Sequence, residues 1–173
     1  MATGFSRDRL QPSLLDRLID DDRARHTEAA EERVINKVRL RELVLRDLSW
    51  LLNATAPWKP ADPLPALVKG SVLNYGMPAL SGRYASATEI EEIERSLARV
   101  IARYEPRLLA DTIRVRGLRS DDEVAHHNVM SFEISAQLWA QPYPLELLLK
   151  TELDIETGVV SVQDQGGDYV GTG

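Results

Sequence analysis

The chain has 173 residues, 43% of them hydrophobic and 28% charged, which is ordinary for one folded domain with its own core. It contains no cysteine, which excludes disulfides, thiolate metal sites and cysteine nucleophiles and suits a reducing cytoplasm. The net charge of −6 argues against nucleic-acid binding, and the lack of any run of about 18 apolar residues argues against direct membrane insertion.

The N-terminal segment, residues 1–32, has the pattern of an arm that carries a short amphipathic helix. Pro12 opens this helix, and the acidic run 20–22 ends it, because three acids oppose the macrodipole at a helix C-terminus. Its apolar positions share one helical face: Leu14, Leu15, Leu18 and Ile19. Two interpretations stay open: the arm offers this face to a partner protein, or it folds back on the chain's own core.

Two longer helices are predicted before residue 105. The first runs from about 37 to 53, and its apolar stripe consists of Leu40, Val44, Leu48, Leu51 and Leu52. The second runs from 88 to 104 and is ended by Pro106. Four prolines in the segment 57–65 predict an extended linker with Trp58 exposed or half-buried, and the segment 71–78 has the composition of a turn.

Beyond Pro106 the hydrophobic period changes from 3.6 to 2, which predicts strands. They fall near 113–115, 130–138, 145–155 and 159–162, and the connections after 138 are too short for parallel crossovers. We therefore predict an α+β fold with N-terminal helices packed on one face of a C-terminal antiparallel β-meander of about four strands. This single domain would span 33–163, followed by a flexible glycine-rich tail at 164–173.

The sequence offers no recognisable catalytic, metal-binding or cofactor-binding constellation. His126 and His127 are adjacent and would point to opposite faces of a strand, and His26 is distant in sequence. A glycoside hydrolase needs a carboxylic acid that stays protonated, whereas the acids in the segment 89–94 begin a helix, where the macrodipole favours their charged form. We expect no catalytic residue, no cofactor and no metal.

The segment Glu105-Pro106-Arg107 is the most distinctive charged feature. Glu105 lies at the unfavourable end of a helix dipole, and Pro106 prevents the helix from continuing, so the carboxylate needs a cation. Arg107 or Arg103 could supply it with two parallel hydrogen bonds. Two interpretations are open: an exposed pair worth under about 1 kcal/mol, or a stiff charged corner aimed at a partner.

Three ordered segments resemble the TssE family, relatives of the contractile-phage baseplate wedge protein that was historically labelled lysozyme-like. They are Arg46–Asn53 (RDLSWLLN), Ser71–Pro78 (SVLNYGMP) and Tyr104–Leu108 (YEPRL). The segment 14–18 is also similar to the start of that family, so the resemblance covers the chain from about Pro12 to Val162. The linker at 61–69 and the glycine tail look peculiar to this chain.

The resemblance implies a structural subunit of the type VI secretion baseplate, on the cytoplasmic side of the apparatus. It would link the wedge proteins TssF, TssG and TssK to the contractile sheath of TssB and TssC, and a sheet edge would template the first sheath ring by β-strand augmentation. The family signature falls here on Glu105, Pro106 and Arg107, which we expect to act at an interface rather than in stability. A peptidoglycan hydrolase and a generic protein-binding module are the alternative functions.

Overall fold

The computed structural model describes residues 37–59, 61–79, 87–118, 129–140 and 143–166. The apolar face of the predicted arm, Leu14, Leu15 and Leu18, lies outside these residues. The three histidines and the last seven residues also lie outside them. The predictions for these positions therefore remain predictions.

Two long helices form one layer of the fold. Helix α1 spans Lys37–Asn53, and helix α3 spans Ala87–Tyr104, close to the bounds that the apolar periodicity predicts. The buried face of α1 consists of Leu40, Leu43, Val44, Leu48, Leu51 and Leu52. The buried positions of α3 are Ile93, Leu97 and Ile101. Pro106 follows directly after the last helical hydrogen bond, from the Glu105 N–H to the Ile101 carbonyl at 2.9 Å, and stops further winding.

The proline-rich linker contains more regular structure than its composition predicts. It continues into a four-residue helix α2, Ala66–Lys69, which the sequence does not predict. The 3-10 turn Val72–Asn74 that follows lies in the segment 71–78, which the sequence predicts to be a turn. Helix α2 follows Pro65, whose fixed φ suits a helix start. The linker then returns to the end of α1, where the Met77 N–H donates to the Ala54 carbonyl at 2.7 Å.

The second layer is a four-stranded antiparallel sheet in the order β1-β2-β3-β4. The strands are β1 (Arg114–Leu118), β2 (Val129–Leu138), β3 (Leu145–Asp154) and β4 (Val160–Asp164). Every second residue of β2 is buried against the helices: Met130, Phe132, Ile134, Ala136 and Leu138. The predicted α+β class and antiparallel meander are confirmed, and the helices cover one face of the sheet.

The sheet extends slightly past residue 163, where the predicted tail begins. The Gln165 N–H donates to the Leu148 carbonyl at 2.9 Å. Asp164 accepts two hydrogen bonds from the Arg41 guanidinium, from Nε and Nη2. These bonds hold the pKa of Asp164 below its ordinary value of 3.8, although burial acts in the opposite direction. The ion pair therefore fastens the end of β4 to helix α1.

Because the folded-state pKa of Asp164 is lowered, its stabilising effect is fully present above pH 3.8 and disappears as the pH falls through the folded-state pKa. We expect Asp164→Asn to lower the free energy of unfolding at pH 7 by at most about 1 kcal/mol, since the pair is partly solvated. The difference from the wild type should shrink as the pH is lowered below 3.8. Urea unfolding at pH 7 and pH 3 measures both values.

Glu42→Gln is the matched control, because the Arg39–Glu42 pair is about half exposed on both sides. It should change the stability at pH 7 by less than about 0.5 kcal/mol. An Asp164→Asn deficit that is the same at both pH values would contradict the assigned ion pair.

Candidate functional site

The corner after helix α3 holds a buried carboxylate. Glu105 is only 3% exposed, and both its oxygens accept hydrogen bonds from Arg107. Arg107 Nε donates to Oε1 at 2.7 Å, Nη2 donates to Oε2 at 2.5 Å, and the Arg107 backbone N–H donates to Oε1 at 3.0 Å. Pro106, which is exposed, lies at the tip of this closed corner. Glu105 and Arg107 thus form the bidentate pair that the sequence made possible.

Helix α1 supplies a second carboxylate to the same arginine. Arg107 Nη2 also donates to Asp47 Oδ2 at 2.6 Å. Asp47 Oδ1 accepts from Arg46 Nε at 2.9 Å and from Arg46 Nη2 at 2.7 Å. The Arg46 guanidinium stacks over Trp50 at 4.7 Å from the ring centroid, and Trp50 is half exposed. Glu105, Arg107, Asp47 and Arg46 therefore form a series of alternating negative and positive charges that runs from the core to the surface.

The electrostatics of this cluster keep Arg107 charged and Tyr75 neutral. Burial alone would lower the pKa of Arg107, but its hydrogen bonds and charge interactions with Glu105 and Asp47 outweigh burial and raise it. The pKa of Tyr75 is raised by burial and by the negative charges of Asp47 and Glu105. Among the described residues, the buried Nη1 of Arg107 has no hydrogen-bond partner. Arg107 is thus held firmly by two of its nitrogens and keeps one donor nitrogen unused.

The corner is also tied to the sheet by main-chain hydrogen bonds. The Trp139 N–H donates to the Arg107 carbonyl at 2.7 Å, and the Leu109 N–H donates to the Gln137 carbonyl at 2.9 Å. The residues after Pro106 therefore pair with the end of β2 before β1 begins. Trp139 is 52% exposed. The corner consequently has a half-exposed tryptophan directly beside it.

All three segments that carry the family resemblance meet around this corner. Asp47 comes from the first segment and Arg107 from the third. The second segment contacts the third through the Tyr104 hydroxyl. This hydroxyl can donate to either of two carbonyl oxygens, that of Asn74 at 2.7 Å and that of Ser71 at 3.1 Å. Tyr75 packs edge-on against Tyr104, with 5.3 Å between ring centroids. The three segments are distant in sequence and form one structural unit.

The outer edges of the sheet are the second candidate surface. In an antiparallel ladder, successive residues direct their main-chain groups alternately to either side. Gln165 donates to β3, and the Asp154 N–H donates to the Val159 carbonyl, so odd-numbered residues of β4 face β3. The outward-facing residues of β4 are Val160, Val162 and Asp164.

Helix α1 closes one end of the β4 edge. The Asn53 side-chain amide accepts from the Val160 N–H at 2.9 Å and donates to the Val160 carbonyl at 2.8 Å. This amide thereby occupies both outward groups of Val160. Within the described part of the chain, the outward main-chain groups of Val162 and Asp164 have no partner. The β4 edge is open over these two positions.

The β1 edge is also partly capped by side chains. Its outward residues are Val115 and Gly117, and the Gly117 N–H already donates to Glu94 Oε1 of α3 at 2.6 Å. The Arg114 guanidinium donates to the Ile113 carbonyl at 2.9 Å. Such side-chain caps are a common protection of edge strands. Among the described residues of this edge, only Val115 keeps both outward groups unpaired.

The structure corrects the sequence-based description of the corner in one respect. The sequence treated Glu105 and Arg107 as a solvated pair or a corner exposed to partners, whereas Glu105 is buried within this chain. Arg107 makes this burial possible by donating to both Glu105 oxygens, and Asp47, far away in sequence, ties the same guanidinium to α1. Arg103, the other cation considered for Glu105, does not pair with it. The interface role of Glu105, Pro106 and Arg107 remains a prediction.

Sequence reasoning missed the contacts that Asp47, Asn53 and Glu94 make with the corner and the sheet edges. Asp47 and Asn53 belong to the first resemblance segment and lie off the apolar stripe of α1, which was the available signal. Glu94 carried no signal, because an acid in a helix that begins with several acids resembles a solvated residue.

Comparison with known proteins identifies one family. The family model GPW_gp25, described as baseplate wedge protein gp25, matches residues 38–143, which is more than half of the chain. Neither the search of curated proteins nor the search of solved structures returns a match. In the described ranges, no helix has the length and apolar character needed to cross a membrane. Those ranges also contain no cluster of three or more potential metal-ligating side chains.

We expect Glu105→Gln to lower the free energy of unfolding by about 2–3 kcal/mol, because it removes one of the two carboxylates that neutralise the partly buried Arg107 and places an amide NH2 group against the guanidinium. Guanidinium unfolding at pH 7 measures the loss. Glu152→Gln, in the partly exposed Lys150–Glu152 pair, should cost less than about 0.5 kcal/mol.

A double-mutant cycle with Arg107→Gln separates the pair from other effects. The double variant should lose less stability than the sum of the two single losses, with a coupling energy of about 1 kcal/mol or more. Full additivity, or a Glu105→Gln protein as stable as the wild type, would contradict the buried pair.

Proposed function

The chain belongs to the baseplate wedge protein gp25 family, which includes TssE, and from this membership we propose that it links the wedge of a type VI secretion baseplate to the contractile sheath. Its activity is assembly rather than catalysis. On the wedge side its partners are TssF, TssG and TssK, and on the sheath side they are TssB and TssC. It acts at the cytoplasmic face of the apparatus.

The observation that carries this proposal is the open stretch of the β4 edge. Val162 and Asp164 each direct an N–H and a carbonyl away from the sheet, so an added strand can form up to four main-chain hydrogen bonds there. Asn53 occupies the adjacent position, Val160, and thereby limits where an added strand can begin. A strand that pairs at Val162 and Asp164 extends the sheet without displacing any bond among the described residues. This geometry supports β4 as the edge that receives the first sheath strand.

The corner Glu105-Pro106-Arg107 is the second contact surface of the proposal. The buried pair holds exposed Pro106 in a fixed position beside Trp139, and tryptophan and arginine are the side chains most often found at interface hot spots. Glu105 then acts through the conformation of the corner, and the partner contacts Pro106 and the exposed part of Arg107. The apolar face Leu14, Leu15 and Leu18 is proposed, from sequence alone, as a further contact for wedge proteins.

A peptidoglycan hydrolase has less support. Both oxygens of Glu105 accept hydrogen bonds from Arg107, so this buried carboxylate is already engaged and is poorly arranged to deliver a proton. No other described acid is as deeply buried. For the other alternative, a generic protein-binding module, no described feature speaks beyond the corner and the β4 edge, which the baseplate role already uses.

We expect Val162→Pro to stop sheath assembly, because proline lacks the outward N–H that an added strand needs. Val115→Pro is the matched control on the opposite edge, since Val115 also faces outward. Fluorescent sheaths counted in cells should be absent for Val162→Pro and normal for Val115→Pro. Melting of both purified proteins shows that each is folded.

Amide hydrogen exchange gives a second readout that does not depend on a variant. The amides of Val162 and Asp164 should exchange rapidly in the free protein and become protected when sheath subunits are added. Normal sheath numbers with Val162→Pro, together with unprotected amides in the complex, would contradict strand addition at β4. Loss of sheaths with Val115→Pro alone would move the contact to β1.

A further inference from the structure

A groove lies between the proline-rich linker and helix α3, and neither the corner at residues 105–107 nor the sheet strands line it. Its volume is about 310 Å³, at the small end of the roughly 300–1,000 Å³ typical of ligand pockets. Trp58 and Leu64 of the linker form one wall, and Val100 and Tyr104 of α3 form the other. These side chains are half-buried, so the groove presents an apolar surface to solvent.

Arginine side chains border this apolar surface. Arg99 and Arg103 are both exposed, lie one helical turn apart on α3 and line the groove. Within the described part of the chain, neither forms an ion pair or a side-chain hydrogen bond. Like charges at this spacing repel each other, so an anion between them would be stabilising. The described lining residues include Lys69 and contain no aspartate or glutamate.

The linker leaves space for one of these arginines. A Cβ atom at Gly70 would collide with the Arg103 guanidinium. Gly70 has φ −93°, a conformation open to any residue, so its backbone does not require glycine. Glycine at position 70 therefore leaves the space that the Arg103 guanidinium occupies at the end of α2.

We propose that this groove binds an extended acidic segment of a partner protein. An apolar side chain of that segment packs against Trp58, and a neighbouring carboxylate pairs with Arg99 and Arg103. Charge complementarity supports this occupant, because the groove is basic although the whole chain has a net charge of −6. The apolar wall favours a peptide over a small inorganic anion, which would leave Trp58 and Leu64 uncovered. This proposal does not depend on strand addition at β4.

The test is an NMR titration of the full chain with a blocked peptide, acetyl-Asp-Leu-Asp-Leu-Asp-amide. We expect saturable shifts of the Trp58 indole N–H and the Gly70 and Gly76 amides. The double variant Arg99→Gln/Arg103→Gln should bind at least tenfold more weakly. Arg95→Gln is the matched control, because Arg95 is an exposed arginine of the same helix that does not line the groove. It should bind the peptide as the wild type does.

Gly70→Ala provides an independent variant. It displaces the flexible Arg103 guanidinium and shifts the Ala66 carbonyl, 3.2 Å from the new Cβ, only slightly, so it should weaken binding while the amide spectrum of the sheet stays the same. Two control peptides test the two parts of the ligand: acetyl-Lys-Leu-Lys-Leu-Lys-amide and acetyl-Asp-Ala-Asp-Ala-Asp-amide. Both should bind several-fold more weakly than the acidic leucine peptide.

Several results would overturn the proposal. One is the absence of shifts in the groove at millimolar peptide, and another is unchanged affinity in the double variant. Equal shifts with inorganic phosphate would assign the groove to a simple anion. Concentration-dependent shifts without peptide would assign it to a second copy of the chain. Groove shifts caused by deleting residues 1–22 would assign it to the chain's own N-terminal segment.

Discussion

The position of the helices relative to the sheet depends on the pairing of buried Glu105 with Arg107. This guanidinium also binds Asp47 of α1, and the Arg107 carbonyl accepts the Trp139 N–H at the end of β2. One residue thus joins both long helices to the sheet. A buried carboxylate without its cation is costly, so the paired arrangement excludes conformations in which the corner opens. The charge pair thereby also fixes the positions of the exposed residues around the corner.

The same helices determine which main-chain groups of the two edge strands stay available for pairing with another strand. Their apolar faces cover one side of the sheet, and polar residues at the borders of those faces reach the edge strands. Asn53 occupies the outward groups of Val160, and Glu94 occupies the Gly117 N–H. A larger residue does not fit at position 117, because its Cβ would lie 2.6 Å from Ile90 Cγ2 of α3. Edge strands that are capped at selected positions resist uncontrolled pairing and still leave a defined opening.

The surfaces of the molecule differ in chemistry as well as position. The corner combines a neutralised charge cluster with half-exposed tryptophans, the β4 edge offers main-chain groups, and the groove beside α3 is basic and apolar. These chemistries suit different partners: an extended strand pairs through its main chain, whereas a basic groove discriminates by charge. The linking role that we propose needs such separation, because each partner would have to bind without competing for the same residues.

The sequence by itself determined the two long helices, the strands and the fold class, because local periodicity records which face of each element is buried. Lys37–Asn53 and Ala87–Tyr104 repeat apolar residues with the helical period, and Val129–Leu138 alternates with period two, so the layers followed directly. The order of the resemblance segments also indicated the family that the match over residues 38–143 establishes.

Only the tertiary structure decided which polar residues act together. Asp47 and Arg107 meet because two elements pack side by side, and Asn53 reaches Val160 across an even longer stretch of sequence. Glu105 looks the same in sequence whether it is solvated or buried. Pairings of this kind depend on the relative position of elements, whereas periodicity reports only which side of one element faces inward.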